Sequence, residues 1–434
     1  MSILVLLVEL SIFALILYFL KRRKPVELFS PVYIFLLYYV FIFSFGWLLS
    51  PLNFSAGGVS ADIVLTEYDY RMTFLYGMGI VIFFSIGAMF HTYTSKYKWN
   101  QHNQGNRYKA NVVGVVRSKI KNNFTVSMLP TVFMLALLVI VLMLVGVGPA
   151  NVLSRDVYLP VEVRGAKILG VALTPLVIML LGYSFLRVSH LIRYFILFLL
   201  LLFFVLYFAL ASRWFSFILV LFILGVLMYR PNSAKIKVLV VTSAAAAFLM
   251  LIVPLSLRAL ESHGLFPYII ALVDGNVTLD WGQLEKMTNN LLFSYSLTGH
   301  IAIYEDIEIK YLLTSINPMP GSLVGWYDAA EVLRINPYTP FNAPGELLSH
   351  GVIYAAIFYF ILGFYFSSLD NKINQYLSKD KLLLSALFVG LAVLYTVSSL
   401  QYNLRSGVRL LYYIIVFQIF IFILHNFKKS IVIK

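Results

Sequence analysis

An all-α polytopic membrane protein is the fold class this sequence predicts, and three observations predict it. Hydrophobic residues make up 61% of the 434-residue chain and charged residues 12%, where a soluble globular domain carries about 25% charged residues. Mean hydropathy is +0.87. Apolar stretches long enough for the bilayer core, about 17 to 25 residues each, recur from end to end, and basic residues gather in alternate connections between them.

Taken in order, the apolar stretches predict eleven membrane helices, near residues 2–20, 31–50, 72–93, 126–146, 168–186, 194–211, 214–229, 238–255, 350–369, 382–400 and 410–426. The first ends in Lys21, Arg22, Arg23 and Lys24 with no small-residue cleavage site, so it reads as a retained helix and not a signal peptide. Domain organisation follows: 1–255 holds the first eight helices, 256–349 a large loop, and 350–434 the last three. The chain has no cysteine, which excludes disulfides, thiolate metal sites and cysteine nucleophiles.

Orientation follows from the basic residues of the short connections. Lys96, Lys98, Arg107, Lys109, Arg117, Lys119 and Lys121 share one loop without a carboxylate, and Arg187, Arg193, Arg230, Lys235, Lys237, Lys428 and Lys429 fall on the same side. The N-terminus is therefore expected outside and the C-terminus in the cytoplasm. On this assignment the net charge of +14 divides into 22 basic and 3 acidic residues inside against 11 basic and 15 acidic outside, the remaining acid being Glu9 within the first helix. The basic balance is topogenic and calls for no nucleic-acid partner.

The kind of cation differs by side. Inside stand 15 Lys and 7 Arg, outside 3 Lys and 8 Arg. Arginine keeps its charge at any biological pH and recognises phosphate or carboxylate bidentately, so the outer excess suggests an anionic ligand. Arg405 and Arg409 lie four apart at the start of the last helix, where the helix dipole already places partial positive charge. They call for an anion: a ligand, a lipid headgroup phosphate, or a carboxylate such as Glu346. Arg213 sits in the short connection Ala211-Ser212-Arg213-Trp214, Arg258 follows the eighth helix, and Arg155 and Arg164 precede the fifth.

Within the loop, Leu284, Met287, Leu291, Leu292 and Tyr295 recur at helical spacing, so Trp281 to His300 is expected as an amphipathic interfacial helix. Prolines and glycines at 317–321 and 336–346 dictate turns and extended backbone. Aromatics and Asn among such turns suit carbohydrate; a purely structural cap over the helices fits them equally. Pro344 marks a first helical position with Asn342 or Ala343 before it. Glu346 and His350 then stand at i,i+4, a spacing that lets a carboxylate orient an imidazole as general base, although Glu346 could equally complement the helix N-terminus. His300 and His263 are the other outer histidines. Phosphate-binding, serine-hydrolase and zinc-protease motifs are absent.

The Ser212-Arg213 hairpin with its following helix ending in Tyr229-Arg230, the large late loop, and Pro340-x-x-x-Pro344-Gly345-Glu346-x-x-x-x-Gly351 opening a helix together resemble the bacterial O-antigen polymerases, which join oligosaccharide repeat units. The resemblance covers nearly the full chain. It implies a multi-pass protein of the bacterial inner membrane whose donor is a growing glycan on polyprenyl diphosphate and whose acceptor is another lipid-linked repeat, with a flippase and a chain-length regulator as partners. No metal, nucleotide or other cofactor is implied. Arg164, Arg213, Arg258, Arg405 and Arg409 would hold diphosphates, Glu346 with His350, or else His300, would act as base, and Trp281 to His300 could form a lid. Two rivals stay open: an O-antigen ligase with the same donor, and a flippase or transporter for the lipid-linked repeat.

Overall fold

The computed structural model describes residues 30–49, 63, 65–103, 113–158, 162–212, 214–229, parts of 235–250, 252–258, 260–275, 281–336, 339–378 and 381–432. Its helices are α1 (Pro31–Leu49), α2 (Glu67–Asn103), α3 (Val113–Val147), α4 (Pro149–Leu153), α5 (Arg164–Phe185), α6 (His190–Ala209), α7 (Trp214–Tyr229), α8 (Ile252–Leu257), α9 (Leu265–Val273), α10 (Trp281–Tyr304), α11 (Ile309–Ile316), α12 (Trp326–Val332), α13 (Ala343–Ser349), α14 (Val352–Ser378), α15 (Leu382–Gln401) and α16 (Leu404–Val432). A two-stranded antiparallel ribbon, β1 (Arg334–Asn336) and β2 (Thr339–Pro340), lies between α12 and α13.

Among the described residues, eight helices are long and apolar enough to cross a membrane, and Trp214–Val226 is a shorter apolar helix. The expected span at 2–20 and part of that at 238–255 lie outside the described residues. The protein is a polytopic, all-α membrane protein.

The chain divides into two compact units, one of residues 1–103 with 288–434, the other of residues 104–287. The segment 256–349, expected as one loop, is thus shared between them, and most of it is folded.

In the first unit, α1 buries Phe35, Tyr39 and Phe43, one turn apart, and Phe35 stacks on Phe84 of α2 with ring centres 3.9 Å apart. Helices α2 and α14 meet through reciprocal glycines. A Cβ on Gly87 would meet the Phe360 carbonyl oxygen at 2.0 Å, and one on Gly363 the Phe84 carbonyl oxygen at 1.9 Å. Where lipid is as apolar as the side chains, such close backbone approach is what holds helices together.

The second half of α10 is buried, through Leu292, Tyr295, Leu297, Thr298 and Ile301. Tyr295 packs against Gly46 and Phe43 of α1 and donates to the Tyr70 carbonyl of α2. This corrects the expectation of an interfacial helix reaching His300: the apolar stripe of that half faces neighbouring helices, so it cannot swing as a lid. Leu297 and Ile301 join Ile307, Ala329, Leu333 and Phe341 in a core beneath the α11–α12–ribbon segment.

In the second unit, α5 packs on α3 and α7. The α5–α7 contact repeats the reciprocal device, Gly182 against the Phe222 carbonyl and Gly225 against the Met179 carbonyl, both at 2.0 Å from a built Cβ. The Thr174 hydroxyl lies 2.6 Å from the Tyr207 hydroxyl, joining α5 to α6.

Candidate functional site

Where α11, α13 and α16 meet, the first unit buries Ser315, Asn342, Glu346 and Arg405. Helix α11 is short and, like any helix, ends in carbonyls with no partner inside the helix. Side chains of α16 supply the partners. The Arg405 guanidinium donates to the carbonyls of Thr314, Asn317 and Met319, and the Tyr412 hydroxyl donates to that of Ile316. Arg405 is 1% exposed and lies over the Trp326 ring, 5.2 Å from its centre.

The anion that Arg405 calls for is therefore the carbonyl end of α11, a partial negative charge. This departs from the expectation that Arg405 holds a diphosphate, because its terminal nitrogens are committed to main chain within the fold. Arg409, one turn on, is exposed and alone of the pair stands open to a ligand.

Glu346 is fully buried. Its Oε1 accepts from the Ser315 hydroxyl of α11, and its Oε2 accepts from the Leu404 amide at 3.1 Å, at the start of α16. Burial pushes its carboxyl up to about 7, and the two hydrogen bonds pull in the opposite direction. Asn342, as expected, caps α13, accepting from the Gly345 amide. Its amide nitrogen donates to the Ser294 carbonyl at 2.9 Å, the Thr298 hydroxyl at 2.8 Å and the Leu400 carbonyl at 3.3 Å. Glu346 and Asn342 thus lock α13 to α10, α11, α15 and α16.

The expected pairing of Glu346 with His350 is not made. His350 ends α13, and the groups acting on it are the Ile307 carbonyl and Asp306, which partly offset the lowering of its basicity by burial. His300 faces the same linker: its Nε2 lies 3.7 Å from the Glu305 carboxylate, with 15% of the imidazole side chain and 36% of the Glu305 side chain exposed. His300 and His350 are thus both brought against the short connection 305–308, His300 beside the Glu305 carboxylate and His350 bonded to the Ile307 main chain within the field of Asp306. The connection is held from α10, whose last residue, Tyr304, donates to the Asp69 carboxylate at 2.7 Å. Asp69 also accepts from the Thr66 amide and hydroxyl at the start of α2.

Glu305, Asp306, Ser315 and Trp326 were missed from sequence. The first two had a visible signal, an acidic run five residues after His300. Ser315 and Trp326 had none, since their partners lie 31 and 79 residues away.

The other arginines belong to the second unit. Arg155, 6% exposed, donates to the carbonyls of Asn151, Val157, Tyr158 and Ala209. Its main chain pairs with that of His263. His263 is buried, its Nδ1 is 2.9 Å from the Tyr268 hydroxyl, and burial followed by the neighbouring Arg155 holds its basicity down. Arg258 donates to the Ala211 carbonyl at 3.0 Å and lies 5.2 Å from the centre of the Tyr158 ring. Arg164 opens α5 and is exposed. Arg213 lies outside the described residues. Among the described residues, no group of three or more His, Asp or Glu is placed to hold a metal ion.

The fold and these clusters define a polytopic all-α membrane protein with a folded segment between its spans that brings His300 and His350 to one short connection. Neither the family models, the curated proteins nor the solved structures contain a match to the chain.

Proposed function

We propose that this protein is a membrane-embedded glycosyltransferase that polymerises polyprenyl-diphosphate-linked oligosaccharide repeats at the outer face of the bacterial inner membrane. The observation that carries the reading is the contact of His300 with Glu305 on the linker that His350 also faces. A carboxylate beside an imidazole raises its capacity to accept a proton, which is what activating a sugar hydroxyl requires.

In this reading, His300 takes the proton from the acceptor hydroxyl as its oxygen attacks the anomeric carbon of the donor. The bond from that carbon to the diphosphate breaks, and polyprenyl diphosphate leaves with the electron pair. Arg409 is the arginine of the first unit suited to meet the developing negative charge, a contribution of about 3 kcal/mol for a well-placed donor. Arg405, Glu346 and Asn342 are positioning residues that fix α11 and α13 around the linker. The exposed rings of Tyr304, Tyr327 and Tyr402 offer apolar faces to sugars.

The test is polymerisation of purified lipid-linked repeats by the protein in lipid nanodiscs. His300→Ala should leave single repeats unjoined while the protein stays folded. Normal chain lengths from both His300→Ala and His350→Ala would rule the linker out as the reacting centre.

A further inference from the structure

We propose that helix α9 is a membrane-embedded anchor that lies along one leaflet with its apolar face among the acyl chains of the bilayer. The helix belongs to the second unit, and the inference is independent of the transferase reading.

The sequence of α9 offers water nothing to hold. From Gly264 to Val273 no side chain is charged, and the one polar side chain, Tyr268, turns inward, with its hydroxyl 2.9 Å from Nδ1 of His263. Phe266, Ile269, Ile270, Leu272 and Val273 are all exposed, Val273 to 80%. At 3.6 residues per turn these five occupy an arc of about 160° around the helix. The buried residues, Tyr268 and Ala271, take up about 60° on the other side. A partner helix covers a narrow seam, whereas an arc this wide calls for an apolar solvent that wraps it.

The fold places that face beside a membrane span. Tyr268 packs in a core with Ala211 and Leu257, and its ring centre lies 6.0 Å from that of Phe208 in the last turn of α6. Helix α6 is a candidate span and exposes Leu197, Phe198 and Leu201 further along its length. The exposed side of α9 therefore continues a surface that acyl chains cover. Helix α9 has nine residues, which at 1.5 Å each reach about 13 Å, less than half of the hydrocarbon core, so it enters one leaflet and does not cross.

Each end of the helix suits the headgroup level. On the entering side, His263 exchanges two main-chain hydrogen bonds with Arg155, each of 2.8 Å, which satisfies the backbone without water as a lipid-facing segment requires. On the leaving side, the Asp274 amide donates to the Ile270 carbonyl at 2.8 Å, and the charged Asp274 side chain is exposed. A charged residue at either end lays the axis along the membrane surface, the geometry of an interfacial helix.

The chain has no cysteine, so single cysteines in the full-length protein each report one position. Spin labels at Ile270→Cys on α9, Leu201→Cys on α6 and Glu261→Cys before α9 are compared in phosphatidylcholine vesicles by their collision rates with oxygen, which concentrates among acyl chains, and with a water-soluble nickel chelate. The oxygen-to-nickel ratio at Ile270→Cys should favour oxygen, as at Leu201→Cys, and exceed that at Glu261→Cys about tenfold. A ratio equal to that at Glu261→Cys would place the helix in water, and loss of both collision rates would mean that protein, such as a second copy of this chain, covers it; either result overturns the proposal. Should the labelled variants not fold, the wild-type protein is irradiated in vesicles of phosphatidylcholine bearing a diazirine on one acyl chain. Adducts on residues 265–273 together with α6 uphold the anchor, and adducts on α6 with none on 265–273 remove it.

Discussion

Arg405 and Trp326 stand 79 residues apart in the chain and meet with the guanidinium carbon 5.2 Å from the ring centre. The contact closes one side of a cage whose other walls are the carbonyls of Thr314, Asn317 and Met319. A buried cation whose terminal nitrogens donate to main-chain carbonyls is a clamp. Arg405→Lys keeps the charge but loses the planar fork and should cost about 1–3 kcal/mol, read as a lowered melting temperature in detergent. Arg405→Glu should not be recovered as folded protein; a stable Arg405→Glu variant would return the residue to the list of ligand-binding arginines.

The Glu346 carboxyl should make stability pH-dependent. Its folded value, about 7, lies above the ordinary 4.5, so between these values the folded state binds more protons than the unfolded one. Stability then falls as pH rises from about 4.5 to 7 and levels above, by about 3 kcal/mol at most. Glu346→Gln can keep both hydrogen bonds, donating to Ser315 and accepting from Leu404. Its melting temperature should fall less than the wild-type value across that window; parallel profiles would show that Glu346 does not titrate there.

Removing the base should cost turnover and not folding. His300→Ala should lower the rate of glycan joining about 10²–10⁴-fold, and Glu305→Gln should lower it less, each with an unchanged melting temperature. An equal loss of activity and stability would make the pair structural.

Arg409 offers a complementary signature. Charge reversal at this exposed position should raise the concentration of lipid-linked donor needed for half-maximal rate, and Arg409→Lys should recover part of the loss. An unaltered dependence on donor concentration in Arg409→Glu would take the residue out of donor binding.

The reciprocal glycines make a purely structural prediction. A side chain at Gly363 meets the backbone of α2, which cannot step aside as a flexible side chain would, so Gly363→Val should force α2 and α14 apart and destabilise the first unit. Gly390, where a built Cβ meets nothing within 4 Å, should accept alanine without loss. Comparing the two melting temperatures checks the contrast.

Much of the fold was legible because bilayer-length apolar runs need no tertiary information. The stretch 31–50 is found as Pro31–Leu49, 168–186 as Arg164–Phe185, and the Asn342–Pro344 signal does open α13. The arginines were harder to read. Sequence shows which charges are present but not the carbonyl ends of helices, which serve as partners for Arg405 and Arg155 in place of a ligand. Spacing within one helix likewise suggested Glu346 with His350, whereas Glu346 turns to Ser315 and Leu404 of other elements. The amphipathic pattern of α10 was read correctly as helix. Its apolar side was assigned to the membrane surface because periodicity cannot say which partner covers it.

The most direct test of the central claim is glycan chain length on gels from a strain deleted for this gene, with and without complementation by the wild-type chain and by His300→Ala. The account predicts that deletion collapses the ladder to a single repeat on its acceptor, that the wild-type gene restores it, and that His300→Ala does not. Long glycan accumulating on polyprenyl diphosphate would point to a ligase, and repeats trapped at the cytoplasmic face would point to a flippase; either result would contradict the polymerase.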